Sequence, residues 1–180
     1  MSDEQSGTAR LEAALVRLSS GEDGGRREVL GEIYDLMSAR MLRAAFSVTG
    51  SRPDAEDALQ DSFLKLARTS SGYQADGHPE AYLLTVVRHA ALDVVRRRQR
   101  ALDASEVTDT EPEAPPDTAT DAAAVAELLS VLEPDDRLII TLKLYEEMPY
   151  REIARVTGLS VAAAEKRYQR ALARLRKFYT

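Results

Sequence analysis

One predicted helix face carries four polar side chains that could do acid–base or metal chemistry. They are Glu56, Asp57, Gln60 and Asp61. Paired carboxylates can act as general acid and base. However, only His78 and His89 occur in the sequence, neither of them on this segment, and there is no cysteine. The pattern therefore favours a surface that docks a basic partner helix. We expect no catalytic residues, no metal and no cofactor.

A second set of residues combines aromatic rings with cations. Tyr73 and Tyr82 lie in or just after a loop, and the next predicted helix carries Arg88, His89, Arg96, Arg97 and Arg98. Single-stranded DNA binding needs cations along the backbone and rings that stack on unpaired bases. Two alternatives stay open. Tyr82 can be a core residue, and the arginine run can be a solvated helix end that complements the dipole.

The third set has the pattern of a helix-turn-helix. Gly158 permits a turn, and Ser160 can cap the helix that follows. The stripe predicted to pack is Val161, Ala164, Tyr168, Ala171, Leu172 and Leu175. The remaining positions carry Ala162, Ala163, Glu165, Lys166, Arg167, Gln169, Arg170 and Arg174. One packed side and one basic side predict a DNA-recognition helix. The alternative is an ordinary hairpin with a solvated basic face.

Helices must position all three sets, because the apolar spacing is helical and no strand pattern persists. After residues 1–7, predicted to be disordered, we expect helices over about 8–18, 26–48, 51–66, 80–99, 122–132, 134–147, 150–157 and 161–177. A loop is predicted over 69–79 from two glycines and a proline.

Charge divides the chain. The net charge is −6, yet residues 101–136 hold eleven acids and no base, while residues 137–180 hold ten bases and four acids. Residues 103–121 contain too little apolar surface to fold. The prediction is an all-α protein of two small helical domains joined by a flexible acidic linker. Its parts are an N-terminal tail and short helix (1–25), a helical bundle (26–100), the linker (101–121) and a helix-turn-helix domain (122–180).

The N-terminus is acidic and lacks the apolar core of a signal peptide. No apolar run approaches the roughly 20 residues that span a bilayer. We therefore expect a cytoplasmic protein without membrane insertion.

Three motifs occur in order and at characteristic separations. They are Asp54-Ala55-Glu56-Asp57…Gln60-Asp61-Ser62-Phe63, the stretch from Ala81-Tyr82-Leu83 to Arg97, and Tyr150-Arg151-Glu152-Ile153-Ala154. Together they closely resemble the bacterial extracytoplasmic-function (ECF, group IV) sigma factors of the sigma-70 family. The likeness covers about 26–100 as a sigma2-like domain and 122–178 as a sigma4-like domain.

The resemblance implies a role for each set. Glu56, Asp57, Gln60 and Asp61 would grip the clamp helices of core RNA polymerase. The loop 70–79 and the start of the next helix would capture a base flipped from the −10 promoter element, with the arginines holding the DNA backbone. The helix 161–177 would enter the major groove of the −35 element. The linker would thread the polymerase, and an anti-sigma factor would regulate the chain, as in stress responses.

The sequence departs from the family at three places. Tyr82 stands where tryptophan is common, His89 where asparagine is common, and the run Ala162 to Arg167 replaces the usual start of the recognition helix. Glu165 would repel phosphate but could accept from a cytosine amino group. An unusual −35 preference is therefore expected.

Two other hypotheses remain. A sigma-like decoy would bind an anti-sigma factor without acting at promoters, which leaves the arginine run and the basic last helix without a purpose. A stand-alone helix-turn-helix repressor leaves Glu56 to Asp61 without one. An enzyme is the least favoured class, since no nucleotide-binding loop or nucleophile–base set occurs.

Overall fold

The computed structural model describes residues 2–20, 25–68, 73–104 and 130–179. Within these ranges the regular secondary structure is entirely α-helical. The helices are α1 (Ser2–Ser19), α2 (Arg26–Thr49), α3 (Arg52–Arg68), α4 (Pro79–Ala104), α5 (Pro134–Leu144), α6 (Tyr150–Thr157) and α7 (Val161–Tyr179). The all-α prediction is confirmed.

The centre of the N-terminal unit is α2, which packs against α1, α3 and α4. Its buried stripe includes Val29, Ile33, Met37 and Met41 at helical spacing. Gly50 ends the helix in the left-handed conformation (φ 67°), with its N–H donating to the Phe46 carbonyl. A left-handed residue at this position favours glycine, as expected from the sequence.

The N-terminal helix α1 covers one side of this bundle. Its buried residues are Leu11, Ala14, Leu15 and Leu18, the stripe predicted from the sequence. The helix is longer than predicted, because it begins at Ser2 rather than near residue 8. The expectation of disorder is therefore wrong for residues 2–7.

Three helices form the C-terminal unit, in which α5, α6 and α7 contact one another. The α5 helix starts at Pro134, where a missing N–H costs nothing. Gly158 (φ 71°) makes the turn after α6, and the Ser160 hydroxyl accepts from the Ala163 N–H at 3.2 Å. The turn and the cap are both as predicted.

The two units lie against each other, α5 on α2 and α6 on α4. Arg137 of α5 donates to the backbone carbonyls of Ser47 and Val48 at 2.8 and 2.7 Å. These carbonyls lie in the last turn of α2, which has no basic residue of its own. Arg137 thus supplies the cation that a helix C-terminus favours.

Two helix ends differ from the sequence prediction. The α4 helix continues to Ala104, so the first four residues assigned to the linker are helical. The α5 helix stops at Leu144 rather than 147, and Glu147 follows with a positive φ of 52°. The rest of the predicted linker and most of the helix expected over 122–132 lie outside the described residues.

Candidate nucleic-acid interface

The acidic face predicted on α3 is exposed. Ala55, Ala58 and Leu59 are buried on the opposite side of the helix. The four polar residues, Glu56, Asp57, Gln60 and Asp61, all point to solvent. This division follows from the helical spacing of the apolar residues, and it leaves the acidic face available to another molecule.

The end of α4 lies beside this face and carries opposite charge. Arg97 Nη2 lies 3.1 Å from Asp61 Oδ2, and Arg98 Nη1 lies 2.8 Å from Asp54 Oδ2. Arg96 pairs with Asp93 on its own helix at 3.1 Å. Exposed ion pairs of this kind contribute about 0–1 kcal/mol. Each can be exchanged for a contact with a partner at little cost.

Tyr73 and Tyr82 lie together, as their predicted common role requires. Their ring centroids are 5.0 Å apart with an interplanar angle of 62°, an edge-on arrangement that aromatic pairs favour. Both rings line a cleft of about 260 Å³ with Thr85 of α4. Tyr73 is only 8% exposed, and burial raises the pKa of Tyr82. Tyr73 is therefore a core residue, Tyr82 is half-buried against the core, and both are walls of the cleft.

His89 lies two turns along α4 from Tyr82, in a second groove. The groove has a volume of about 370 Å³ and is also lined by Lys65 and Arg97. Burial, together with the charges of Arg88 and Lys65, lowers the pKa of His89. Its imidazole is therefore neutral at pH 7, with one donor and one acceptor.

Arg88 does not point to solvent. Its guanidinium forms a two-pronged contact with Asp135 of α5, with Nε–Oδ1 and Nη2–Oδ2 distances of 2.9 Å each. The Arg88 side chain is 11% exposed. Bidentate pairs of this geometry are among the stronger protein hydrogen bonds. In this arrangement a predicted −10 contact joins the two units.

The α7 helix divides into a packed and an exposed side as predicted, with two exceptions. Ala164, Tyr168, Ala171 and Leu175 are buried. The residues exposed on the other side are Ala162, Glu165, Lys166, Gln169, Arg170 and Arg174, with Ala163 half-buried among them. Val161, predicted to pack, is 50% exposed, because it starts the helix and the first buried position is Ala164.

Arg167 is the second exception. Its Nε lies 2.7 Å from Oδ1 of Asp136, a carboxylate that is only 2% exposed. Its Nη1 lies 3.9 Å from Asp135. Arg88, Asp135, Arg167 and Asp136 thus form a chain of ion pairs that links the predicted −10 and −35 residues.

Several residues of the junction were not singled out from the sequence. Glu146, whose side chain is 8% exposed, accepts from Arg40 at 2.7 Å and from Arg43 at 2.8 Å. Burial opposes the charge of Arg40, but Glu80 and Glu146 outweigh it, so the pKa of Arg40 is raised. Asp135 and Asp136 were visible only as part of the acidic stretch 101–136, and Glu146 lies beyond it, so no local pattern marked the partners of these acids.

The C-terminal unit also reaches the loop before α4. His78 Nδ1 lies 3.0 Å from Glu152, and Arg155 Nη1 lies 3.1 Å from Asp76. Arg155 lines the same cleft as Tyr73 and Tyr82. The α6 helix therefore partly covers the cleft predicted to receive a base.

A larger cavity of about 930 Å³ lies at the junction. It is bounded by the start of α1, by Met37 and Arg40 of α2, and by residues 145–149. Among the described residues, no group of three or more histidines, aspartates and glutamates has the arrangement of a metal site. None of the helices described has the length and apolarity needed to cross a bilayer.

Both helical units match regions of one known protein family. Residues 33–101 match the profile of sigma-70 region 2, and residues 122–175 match that of sigma-70 region 4. The first match contains the α3 face, the tyrosine pair and the arginine run, and the second contains the helix-turn-helix. The fold is thus that of a sigma-70 type protein.

Individual relatives narrow this class. The chain is 33% identical over 145 residues to the RNA polymerase sigma-E factor of Streptomyces coelicolor, covering 76% of this chain and 78% of the relative. It is 28% identical to the ECF RNA polymerase sigma factor SigE of Mycolicibacterium smegmatis, a match that covers 98% of this chain and 69% of the relative. The chain belongs to the ECF sigma factors of the sigma-70 family, which confirms the resemblance found in the sequence.

A solved structure shares the fold. The sigma factor RpoE in its complex with the anti-sigma factor NepR from Bartonella quintana superposes with a TM-score of 0.67 at 22% identity. The match covers 80% of this chain and 92% of that one. Both helical units are therefore common to the two proteins.

Proposed function

We propose that this chain binds core RNA polymerase through the acidic face of α3 and directs it to promoters through two DNA-binding surfaces. The observation that carries the proposal is the exposure of Glu56, Asp57, Gln60 and Asp61 on one face whose reverse is buried. Such a face suits a basic partner helix, and family membership points to the clamp helices of the polymerase.

The first DNA surface is the cleft of Tyr73 and Tyr82 with the arginines of α4. An unpaired −10 base enters the cleft and stacks on a ring, while Arg96, Arg97 and Arg98 hold the backbone. A neutral His89 reads a base edge through one donor and one acceptor. Unstacking the base costs a few kcal/mol, which these contacts offset.

The second DNA surface is α7. Its exposed side reaches base edges of the −35 element from the N-terminal turns, through Ala162, Ala163, Glu165 and Lys166. Gln169, Arg170 and Arg174 contact phosphates further along the helix. Arg167 joins them only when its pair with Asp136 opens, because that pair now holds its guanidinium.

Promoter binding on this proposal requires the two units to separate. Asp135 occupies Arg88, and Arg155 lies over the tyrosine cleft. A phosphate oxygen must replace the Asp135 carboxylate before Arg88 can hold DNA. We also propose, by extension from the RpoE complex, that an anti-sigma factor regulates the chain.

Asp61→Lys tests the assignment of the polymerase surface. The lysine removes the pair with Arg97 and places like charges together, so a basic partner is repelled. We expect a loss of affinity for core polymerase of roughly tenfold or more. Affinity of the full chain for a duplex that carries its −35 element should not change. Both are measured by fluorescence anisotropy.

Asp35→Lys is the matched control, because Asp35 is an exposed acid of α2 and the charge change is the same. It should bind core polymerase like the unaltered chain. Equal losses of polymerase and DNA affinity in Asp61→Lys would indicate misfolding or a wrong surface. Unchanged polymerase affinity would refute the assignment.

A further inference from the structure

The N-terminal helix α1 lies outside the matched region 2, which begins at residue 33, yet it contacts the loop that carries Tyr73. The Tyr73 hydroxyl donates a hydrogen bond to Glu12 Oε2. The other oxygen of the same carboxylate, Oε1, accepts from the Gly77 N–H at 3.4 Å. One side chain of α1 therefore holds two points of the loop, four residues apart.

The position of Glu12 is fixed from beneath. Leu11, Ala14, Leu15 and Leu18 are each less than 5% exposed and anchor α1 on the bundle. A further contact holds the start of α4, where the Thr8 hydroxyl donates to Glu80 Oε1 at 3.1 Å. The carboxylate thus projects from a packed helix rather than from a free tail.

Tyr73 depends on this contact for its orientation. Its ring meets Tyr82 edge-on and forms a wall of the 260 Å³ cleft, so rotation of the ring would change the shape of the cleft. Burial, with the Glu12 carboxylate next, raises the pKa of the Tyr73 phenol. The hydroxyl therefore stays protonated and keeps donating.

We propose that Glu12 is a positioning residue of the −10 site, which sets the shape of the base-binding cleft by holding Tyr73 and Gly77. The inference rests on the proposed promoter function. The part of the chain that reads the −10 element then includes α1, and selectivity between bases depends on a residue that touches no DNA.

Glu12→Ala removes both contacts and leaves a good helix former in place. The matched control is Glu32→Ala, because Glu32 also joins α1 to the bundle, through Arg10 and Arg17, but lies away from the loop. Both variants lose contacts between α1 and the bundle. Only the first frees the tyrosine.

The experiment uses holoenzyme assembled with each full-length variant. Promoters selected from a random library by the unaltered chain are compared with versions carrying a substituted −10 base, and opening is followed by permanganate reactivity of unpaired thymines. We expect Glu12→Ala to reduce the selectivity ratio roughly tenfold, as the loss of a charge-assisted hydrogen bond would. Glu32→Ala should keep the ratio, and Glu12→Gln, which can still accept, should recover most of it.

Two further variants separate positioning from loss of stability. Tyr73→Phe keeps the ring and should lose as much selectivity as Glu12→Ala, and the double variant should lose no more. Additive losses, or equal selectivity ratios in Glu12→Ala and Glu32→Ala, would overturn the inference about Glu12 but leave the proposed promoter function intact. If the unaltered chain opens no promoter, the proposed function fails, and the inference falls with it.

Discussion

Five of the arginines assigned to DNA already hold a carboxylate of the same chain. Arg96, Arg97 and Arg98 do so at the surface, where such pairs are weak. Arg88 and Arg167 do so in partly buried bidentate or short contacts. Phosphate binding by these residues is therefore an exchange of one anion for another, with different costs at different sites.

His89 is a titratable residue of the proposed −10 surface. Its pKa is lowered by burial and by Arg88 and Lys65. When the pH falls below the ordinary histidine pKa of about 6.5, His89 is therefore protonated in the unfolded chain but still neutral in the folded one. In that window the unfolded state holds more protons, so stability rises with pH and falls as the solution is acidified.

We expect the unaltered chain to lose more stability than His89→Asn when the pH is lowered from about 7.5 to about 5.5. The check is urea unfolding of both proteins at each pH. His78, which pairs with Glu152, is common to both and cancels in the difference. Identical losses in the two proteins would contradict the proposed environment of His89.

At the scale of helices, two glycines differ in backbone conformation, one left-handed and one helical. Gly158 has a φ of 71° in the turn between α6 and α7, and Gly31 lies exposed within α2. A methyl group at either position would meet nothing within 4 Å. A substitution by alanine therefore reports on backbone conformation alone.

Gly158→Ala should destabilise the chain by about 1–2 kcal/mol, because an L-residue is strained in the left-handed region. Gly31→Ala should stabilise it by about 1 kcal/mol, since alanine is the better helix former. Denaturant unfolding measures both. Stabilisation by Gly158→Ala would contradict the left-handed turn after α6, and destabilisation by Gly31→Ala would contradict the helical role of that position.

The sequence predicted where most helices lie and which residues end or cap them, because these features depend on residues close together in the chain. The apolar spacing located the stripes of α1, α2 and α7, and Gly50, Gly158 and Ser160 marked helix ends. It did not predict the extension of α4 to Ala104 or the pairing of Arg167 with Asp136. A charged side chain on the polar face of a helix is predicted to be exposed unless its partner on another helix is known.

At the scale of the molecule, the acidic surface of α3 and the basic surface of α7 belong to different helical units. Ion pairs of Arg88 and Glu146 and a polar contact between His78 and Glu152 join the units. The sequence could predict two units from the charge and proline pattern between them. Their mutual arrangement depends on contacts between residues about 50 to 100 positions apart, such as Arg88–Asp135 and Arg43–Glu146, and no local pattern encodes these.

The closed arrangement has a consequence for the order of events. On the proposed function, polymerase can reach the α3 face while the units remain together, since Asp57 and Gln60 are exposed. DNA cannot reach Arg88 until Asp135 leaves it. On our account, polymerase binding precedes the full engagement of promoter DNA.

Run-off transcription with purified full-length chain, bacterial core polymerase and a library of random promoters tests the central claim most directly. We expect transcripts that start at defined positions. Their promoters should share two sequence elements, one at the −10 and one at the −35 position relative to the start. No such transcripts should appear when the chain is omitted. A chain that binds core polymerase or an anti-sigma factor yet yields no transcript above the core enzyme alone would contradict the account and favour a decoy.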